Sequence, residues 1–170
     1  PEGYVTKYGY EHTGQLTRQT HYSLEIQLPQ TGEITEAIVY DLLDQADNHQ
    51  NGVIDDPKQI LQRNLYDAKG RQAFSIDAQG YLTHLEYDAF DQNVRTWQTP
   101  FNFSIDDPVI TCQWLQNHVD AYGHPGALAT TNVFDADGRQ IYSIDPQGYV
   151  SENRYDQLGN VTRSIRYSVS

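Results

Sequence analysis

The chain has no methionine, one cysteine, no long apolar run and few basic residues. A lone cysteine, Cys112, forbids an internal disulfide, although cysteine count by itself does not fix a compartment. No apolar stretch approaches the roughly 20 residues that a membrane-spanning helix needs, and no signal-peptide pattern is present. Only 11 Lys and Arg stand against 23 Asp and Glu, for a net charge of −12 and a pI near 4.6. Such a surface repels a phosphate backbone, which argues against nucleic-acid binding. The acidic residues are scattered and not blocked, unlike those of a disordered acidic tail. Also absent are a glycine-rich phosphate loop, a nucleophile elbow, a zincin helix and a paired-cysteine motif. No catalytic and no cofactor-binding residue is assigned, and the expected activity is non-enzymatic.

What the sequence does have is a repeat. Asn64 to Tyr81, NLYDAKGRQAFSIDAQGY, returns as NVFDADGRQIYSIDPQGY from Asn132 to Tyr149, with 12 of 18 positions identical. Self-similarity of this kind marks a repeat architecture. Within it lies a smaller unit of Asp, two residues and Gly. It occurs at Asp67–Gly70, Asp77–Gly80, Asp135–Gly138, Asp145–Gly148 and Asp156–Gly159. Glu11–Gly14 is a variant with Glu first, and Asp88–Asp91 a variant with Asp in the glycine place. Asp at the first turn position accepts from backbone N–H groups further along, Pro suits the second position, and Gly at the fourth tolerates positive φ. Pro146 marks the tetrad as a turn, because inside a central strand it would delete a ladder hydrogen bond. The residues Asp67, Gly70, Asp77, Gly80, Asp135, Gly138, Asp145, Gly148, Asp156 and Gly159 are therefore assigned structural roles as corners.

Successive tetrads begin ten or eleven residues apart, leaving intervals of ordinary strand length. The intervals alternate. Gln72, Phe74 and Ile76 oppose Ala73 and Ser75; Tyr81, Thr83, Leu85 and Tyr87 oppose Leu82, His84 and Glu86. A period of two with aromatic and β-branched residues predicts half-buried antiparallel strands. The expected fold is mainly β, an antiparallel meander of hairpins with two short helical insertions.

Tyr66-Asp67-Ala68-Lys69-Gly70-Arg71, Tyr87-Asp88, and Tyr155-Asp156-Gln157-Leu158-Gly159 resemble YD repeats, also called RHS repeats. These occur in bacterial Rhs toxins, insecticidal toxin complex B and C components, wall-associated bacterial proteins and animal teneurins. The resemblance implies a long sheet that spirals into a hollow shell, in the toxins around a cargo domain. It further implies a large protein secreted by, or on the surface of, a bacterium, with neighbouring repeats of the same polypeptide as its partners. Pro1-Glu2-Gly3-Tyr4-Val5-Thr6 lines up with Pro146-Gln147-Gly148-Tyr149-Val150-Ser151. With methionine missing, the expectation is a piece of a longer chain with more repeats before Pro1.

Repeat hairpins are expected at 1–28, 64–98 and 132–170, and helical insertions at 31–63 and 106–118, all within one repeat segment. In the first insertion, Ile34, Ile38, Leu42 and Ala46 fall at helical spacing, with Thr31 or Thr35 as cap, and the helix runs to about Asp47. Asp56-Pro57 opens a second short helix. The loop between them suggests a Ca²⁺ site on Asp47, Asn51 and Asp55. Lys58 at the last loop position and His49 at the third fit an EF-hand poorly. In the second insertion, Asp107-Pro108 is read as a helix start, with Val109, Cys112 and Leu115 as the apolar stripe. Cys112 is then a small core residue, since a reactive thiol needs a nearby base. His118, Asp120 and His124 are placed in a turn-rich loop, as solvated residues or an incomplete metal set.

Thirteen tyrosines leave a second function open, a glycan-binding or adhesion module that stacks sugar rings. Against it, tyrosine recurs at a fixed repeat position, where it packs between hairpins with its hydroxyl at the rim. Trp97 is expected to stack on the sheet face and close one end of the core.

Overall fold

The computed structural model describes residues 3–47, 60–105 and 107–168. It divides into two compact units, Pro1–Arg63 and Asn64–Ser170. Both are built on antiparallel sheet, so the chain is mainly β, a meander with two short helices among the described residues.

In the first unit, β1 (Gly3–Tyr10) and β2 (Leu16–Ile26) form a hairpin around the Glu11–Gly14 corner. Helix α1 (Glu36–Asp47) follows. Thr35, and not Thr31, caps it: its hydroxyl accepts from the Ile38 N–H at 3.4 Å and its carbonyl from the Val39 N–H at 3.1 Å. The face of α1 that meets the sheet is shifted from the expected stripe: Ile34 lies before the helix and is exposed, as is Ala46. Leu43, Val39 and Leu42 pack with Tyr22, Ile26, Leu24 and Val5. The chain returns as β3 (Ile60–Tyr66), which pairs antiparallel with β2 through Arg18–Arg63 and Thr20–Leu61. Asn51 and Asp55 of the expected Ca²⁺ loop, and the Asp56-Pro57 helix start, lie outside the described residues.

The second unit carries β4 (Gln72–Ile76), β5 (Tyr81–Tyr87), β6 (Asn93–Asn102), α2 (Cys112–Tyr122), β7 (Leu128–Phe134), β8 (Gln140–Ile144), β9 (Val150–Tyr155) and β10 (Val161–Arg166). From β4 onward each strand pairs antiparallel with the next. The two repeat copies share a register. Ser75 faces Thr83 and Ile76 faces Leu82 in the first; Ser143 faces Ser151 and Ile144 faces Val150 in the second. Alternation then decides burial. Phe74, Ile76 and Leu82 are fully or almost fully buried, whereas Tyr81 is 46% exposed. Ile110 and Leu115 cover them, with Leu65, Phe103, Cys112 and Val119 at the margin. Burying each large side chain contributes about 1.5–3 kcal/mol.

The second insertion departs from its expected form. Asp107-Pro108 makes a tight turn, not a helix start: the Asp107 carbonyl accepts from the Ile110 N–H and its carboxylate from the Val109 N–H. Thr111 is the cap, its hydroxyl accepting from the Trp114 N–H at 3.1 Å, and α2 runs on past residue 118 to Tyr122. Pro fits the second position of a type I turn as well as it fits a first helical turn, so the dipeptide serves both. Val109 is therefore exposed on the turn, and Ile110 takes the buried place expected of it. At the other end, β10 ends at Arg166, and the Tyr167 N–H still bonds the Val150 carbonyl.

Candidate functional site

Each Asp-first tetrad forms the same corner. In Asp67–Gly70 the Asp67 N–H donates to the Arg71 carbonyl, the Gly70 N–H donates to the Asp67 carbonyl, and Asp67 Oδ1 accepts from the N–H groups of Lys69 and Arg71, all at 2.9 Å. The pattern recurs at Asp77, Asp135, Asp145 and Asp156. The closing glycine sits at φ between 79° and 87° in all five. The Asp88 corner keeps the bonds with Asp91 at φ 64°, a conformation that Asp tolerates better than most residues. Asp91 also bonds the Arg71 guanidinium at 2.6 Å and the Lys69 ammonium at 3.2 Å. The departure from glycine thus ties one corner to another.

A latch joins the corners of each copy. Tyr87, closing β5, donates its hydroxyl to the Gln72 carbonyl at the start of β4, 2.8 Å away. Tyr155 does the same to Gln140 at 2.7 Å. Arg71 lies over the Tyr87 ring at 4.6 Å and Arg139 over Tyr155 at 5.4 Å, each guanidinium held by the carboxylate of its own corner. The hydroxyl is spent on the backbone of the paired strand and does not merely reach the rim. The Arg139 and Asp137 N–H groups hold the Asp135 carboxyl below the usual carboxylate range, helped by the Arg139 guanidinium and opposed by burial. Asp67 is also lowered: burial pushes it up, but the Arg71 and Lys69 contacts outweigh that. These oxygens are occupied as acceptors in turns.

A second cluster was not legible in the sequence. His118 and Asp120, expected in a loop with His124, lie on α2 instead. His118 stacks on Trp114, and Asp120 accepts from Gln116. His124, between Gly123 and Gly126 at positive φ, meets His84 of β5, with Nδ1 of His84 2.8 Å from Nε2 of His124. The rings are 16° from parallel with centroids 5.0 Å apart, as in a hydrogen bond close to the ring plane. Phe74 lies against His84 at 4.4 Å and Trp97 against His124 at 4.2 Å, so Trp97 stacks on a histidine and is not among the side chains packed on the core cluster. Burial, then the neighbouring His124, pushes His84 down to about 4, against the pull of Glu86 and Asp120. Burial lowers His124 too. Both shifts favour the neutral imidazole. Glu86 completes the group: its Oε1 accepts from the Trp97 indole N–H at 2.9 Å, and Arg95 lies 3.7 Å from Oε2.

Beside the cluster is a cleft of about 440 Å³ whose lining includes Leu82, Phe103, His118, Val119, Tyr122 and His124, so His118 and His124 face one cleft without touching. Cys112 is half-buried at the core margin, its thiol pushed up by burial, as expected of a packing residue. No helix among the described residues is long and apolar enough to cross a membrane.

No family model and no curated protein matches the sequence. Solved structures share its fold. A TcdB2-TccC3 chain without its hypervariable C-terminal region matches 94% of this chain at 14% identity and TM-score 0.55. TcdB2-TccC3 itself matches 98% at 15% identity and TM-score 0.51. The Photorhabdus luminescens Tc holotoxin pore matches 99% at 15% identity and TM-score 0.55. At these identities the likeness is one of fold, and this chain spans only 6–7% of the length of the chains it matches.

Proposed function

We propose that this chain is a non-catalytic structural segment, built of YD-type repeats, in the wall of a large secreted bacterial toxin shell. The observation that carries the proposal is the double occurrence of one corner and latch, Asp67/Arg71/Gln72/Tyr87 and Asp135/Arg139/Gln140/Tyr155. Adjacent strands are tied by backbone pairing and, once in each copy, by a tyrosine, which is how a stacked array gains rigidity without a separate core in every repeat. The Asp carboxylates of the corners serve as turn acceptors. The fold shared with TcdB2-TccC3 chains over nearly the whole length supports the same role. Electron cryomicroscopy of the native polypeptide that carries this sequence tests it. The expected result is β4–β10 running as consecutive strands in the wall of a hollow sheet; a free-standing domain outside any wall would refute it.

A second reading, a carbohydrate-binding surface, has one observation in its favour. Tyr4, Tyr8 and Tyr10 share one parity of β1 and are 65%, 50% and 62% exposed. Tyrosines on one strand face offer rings for stacking on sugars. A glycan array repeated with Tyr8→Ala supports this reading if binding is lost while the circular-dichroism spectrum is kept. An array without binding removes it.

A further inference from the structure

We propose that His84, His124 and Glu86 form a binding site for a divalent transition-metal ion of the zinc class. Their donor atoms, one from each residue, all lie within 4.8 Å of one another. Two imidazole nitrogens and a carboxylate oxygen are a donor set that zinc accepts readily, leaving a fourth position for water. Ca²⁺ and Mg²⁺ prefer all-oxygen sites, which separates the proposal from a calcium loop.

The sheet builds two of the three ligands. His84 and Glu86 are two residues apart in β5 and so share a face. Their cross-strand partners in β6 are Trp97 and Arg95. Trp97 performs two tasks, orienting Glu86 through its indole N–H and seating the His124 ring. Outer partners of this kind fix ligand orientation in metal sites. His84 is 4% exposed and held by Phe74, so it is the rigid member. His124 sits on the short glycine-flanked connection between α2 and β7, the member able to adjust.

Occupancy requires a small change. Two N–metal bonds of about 2.0–2.1 Å at a tetrahedral angle put the nitrogens roughly 3.3 Å apart, against the present 2.8 Å. The bridging proton leaves the space between Nδ1 and Nε2 by a tautomer shift of the histidine that carries it, to the other nitrogen of that ring. The neutral pair keeps both of its protons. Glu86 supplies one negative charge, and Arg95, 3.7 Å from Oε2, must give way for that oxygen to bind.

The test is titration of chelator-treated protein with ZnCl₂ by calorimetry, with CoCl₂ as a spectroscopic probe. One ion per chain, a rise in melting temperature and the visible bands of tetrahedral Co²⁺ are expected. Glu86→Gln keeps an acceptor for the Trp97 N–H, so the sheet is retained while a charged ligand is lost. His124→Ala removes a ligand from a connecting segment. Each is expected to weaken zinc binding by at least about tenfold. His12→Ala, an exposed histidine in the Glu11–Gly14 corner, is expected to leave it unchanged. Absence of saturable zinc binding, an octahedral Co²⁺ spectrum, or unaltered affinity in either site variant overturns the proposal.

Discussion

The hydroxyl of Tyr87 bonds the carbonyl of Gln72, fifteen residues back along the chain, and Tyr155 repeats that bond with Gln140. Two hairpins with different neighbours thus use one latch. A neutral hydrogen bond contributes about 0.5–1.5 kcal/mol net. Tyr87→Phe and Tyr155→Phe are each expected to lower unfolding free energy by about that amount in urea titration. Tyr4→Phe, at a site 65% exposed, is expected to stay within about 0.5 kcal/mol of wild type.

Gly80 and Gly148 occupy the same repeat position at φ 86° and 87°, yet their surroundings differ. A Cβ on Gly80 would stand 2.4 Å from the Phe103 carbonyl oxygen; one on Gly148 would meet nothing within 4 Å. Gly148→Ala is expected to cost only the left-handed backbone penalty, about 1–2 kcal/mol. Gly80→Ala is expected to cost about 1–3 kcal/mol more, because Phe103 must shift. Equal losses in denaturant unfolding would show that Phe103 does not rest on the corner.

Backbone N–H groups lower the Asp135 and Asp156 carboxyls, the Arg139 N–H foremost for the first and the Asn160 N–H for the second. A carboxyl whose folded pKa is depressed stabilises the fold above its unfolded value of about 3.9, and that stabilisation is lost as pH falls through the depressed value. The difference in melting temperature between wild type and Asp135→Asn is therefore expected to be constant above about pH 5 and to shrink below about pH 4. A difference independent of pH down to acid unfolding would contradict the assignment.

Thr111 begins α2, and Leu115 is the residue by which α2 reaches the core. Thr111→Ala is expected to cost about 0.5–2 kcal/mol as a lost cap. Leu115→Ala is expected to cost about 2–5 kcal/mol as a core truncation. Val109→Ala, 62% exposed on the preceding turn, is expected to have little effect. Thermal or urea unfolding of the three variants checks the order.

What was legible was local. An Asp carboxylate reaching the N–H groups two and four residues on, and a glycine at positive φ, are decided within five residues, so the corners and strand lengths could be read directly. The helix start was not, because Asp107-Pro108 also satisfies a turn, and Thr111 showed itself as the cap only once the chain was folded. The replacement of glycine by Asp91 was visible, but its compensation by Arg71 and Lys69 depends on pairing between corners twenty residues apart. His84 and His124 are separated by forty residues, and neither period nor motif links them; α2 carries the connecting segment back over the sheet.

Solution NMR of the protein gives the most direct test of the central claim, that the tetrads are corners between paired neighbouring strands. Cross-strand contacts between backbone protons of Ser75 and Thr83, and of Ser143 and Ser151, are expected at matching positions in both copies. A slip of one residue would turn Phe74 and Ile76 away from the core. Contacts shifted by one residue, or missing from either copy, would contradict the claim.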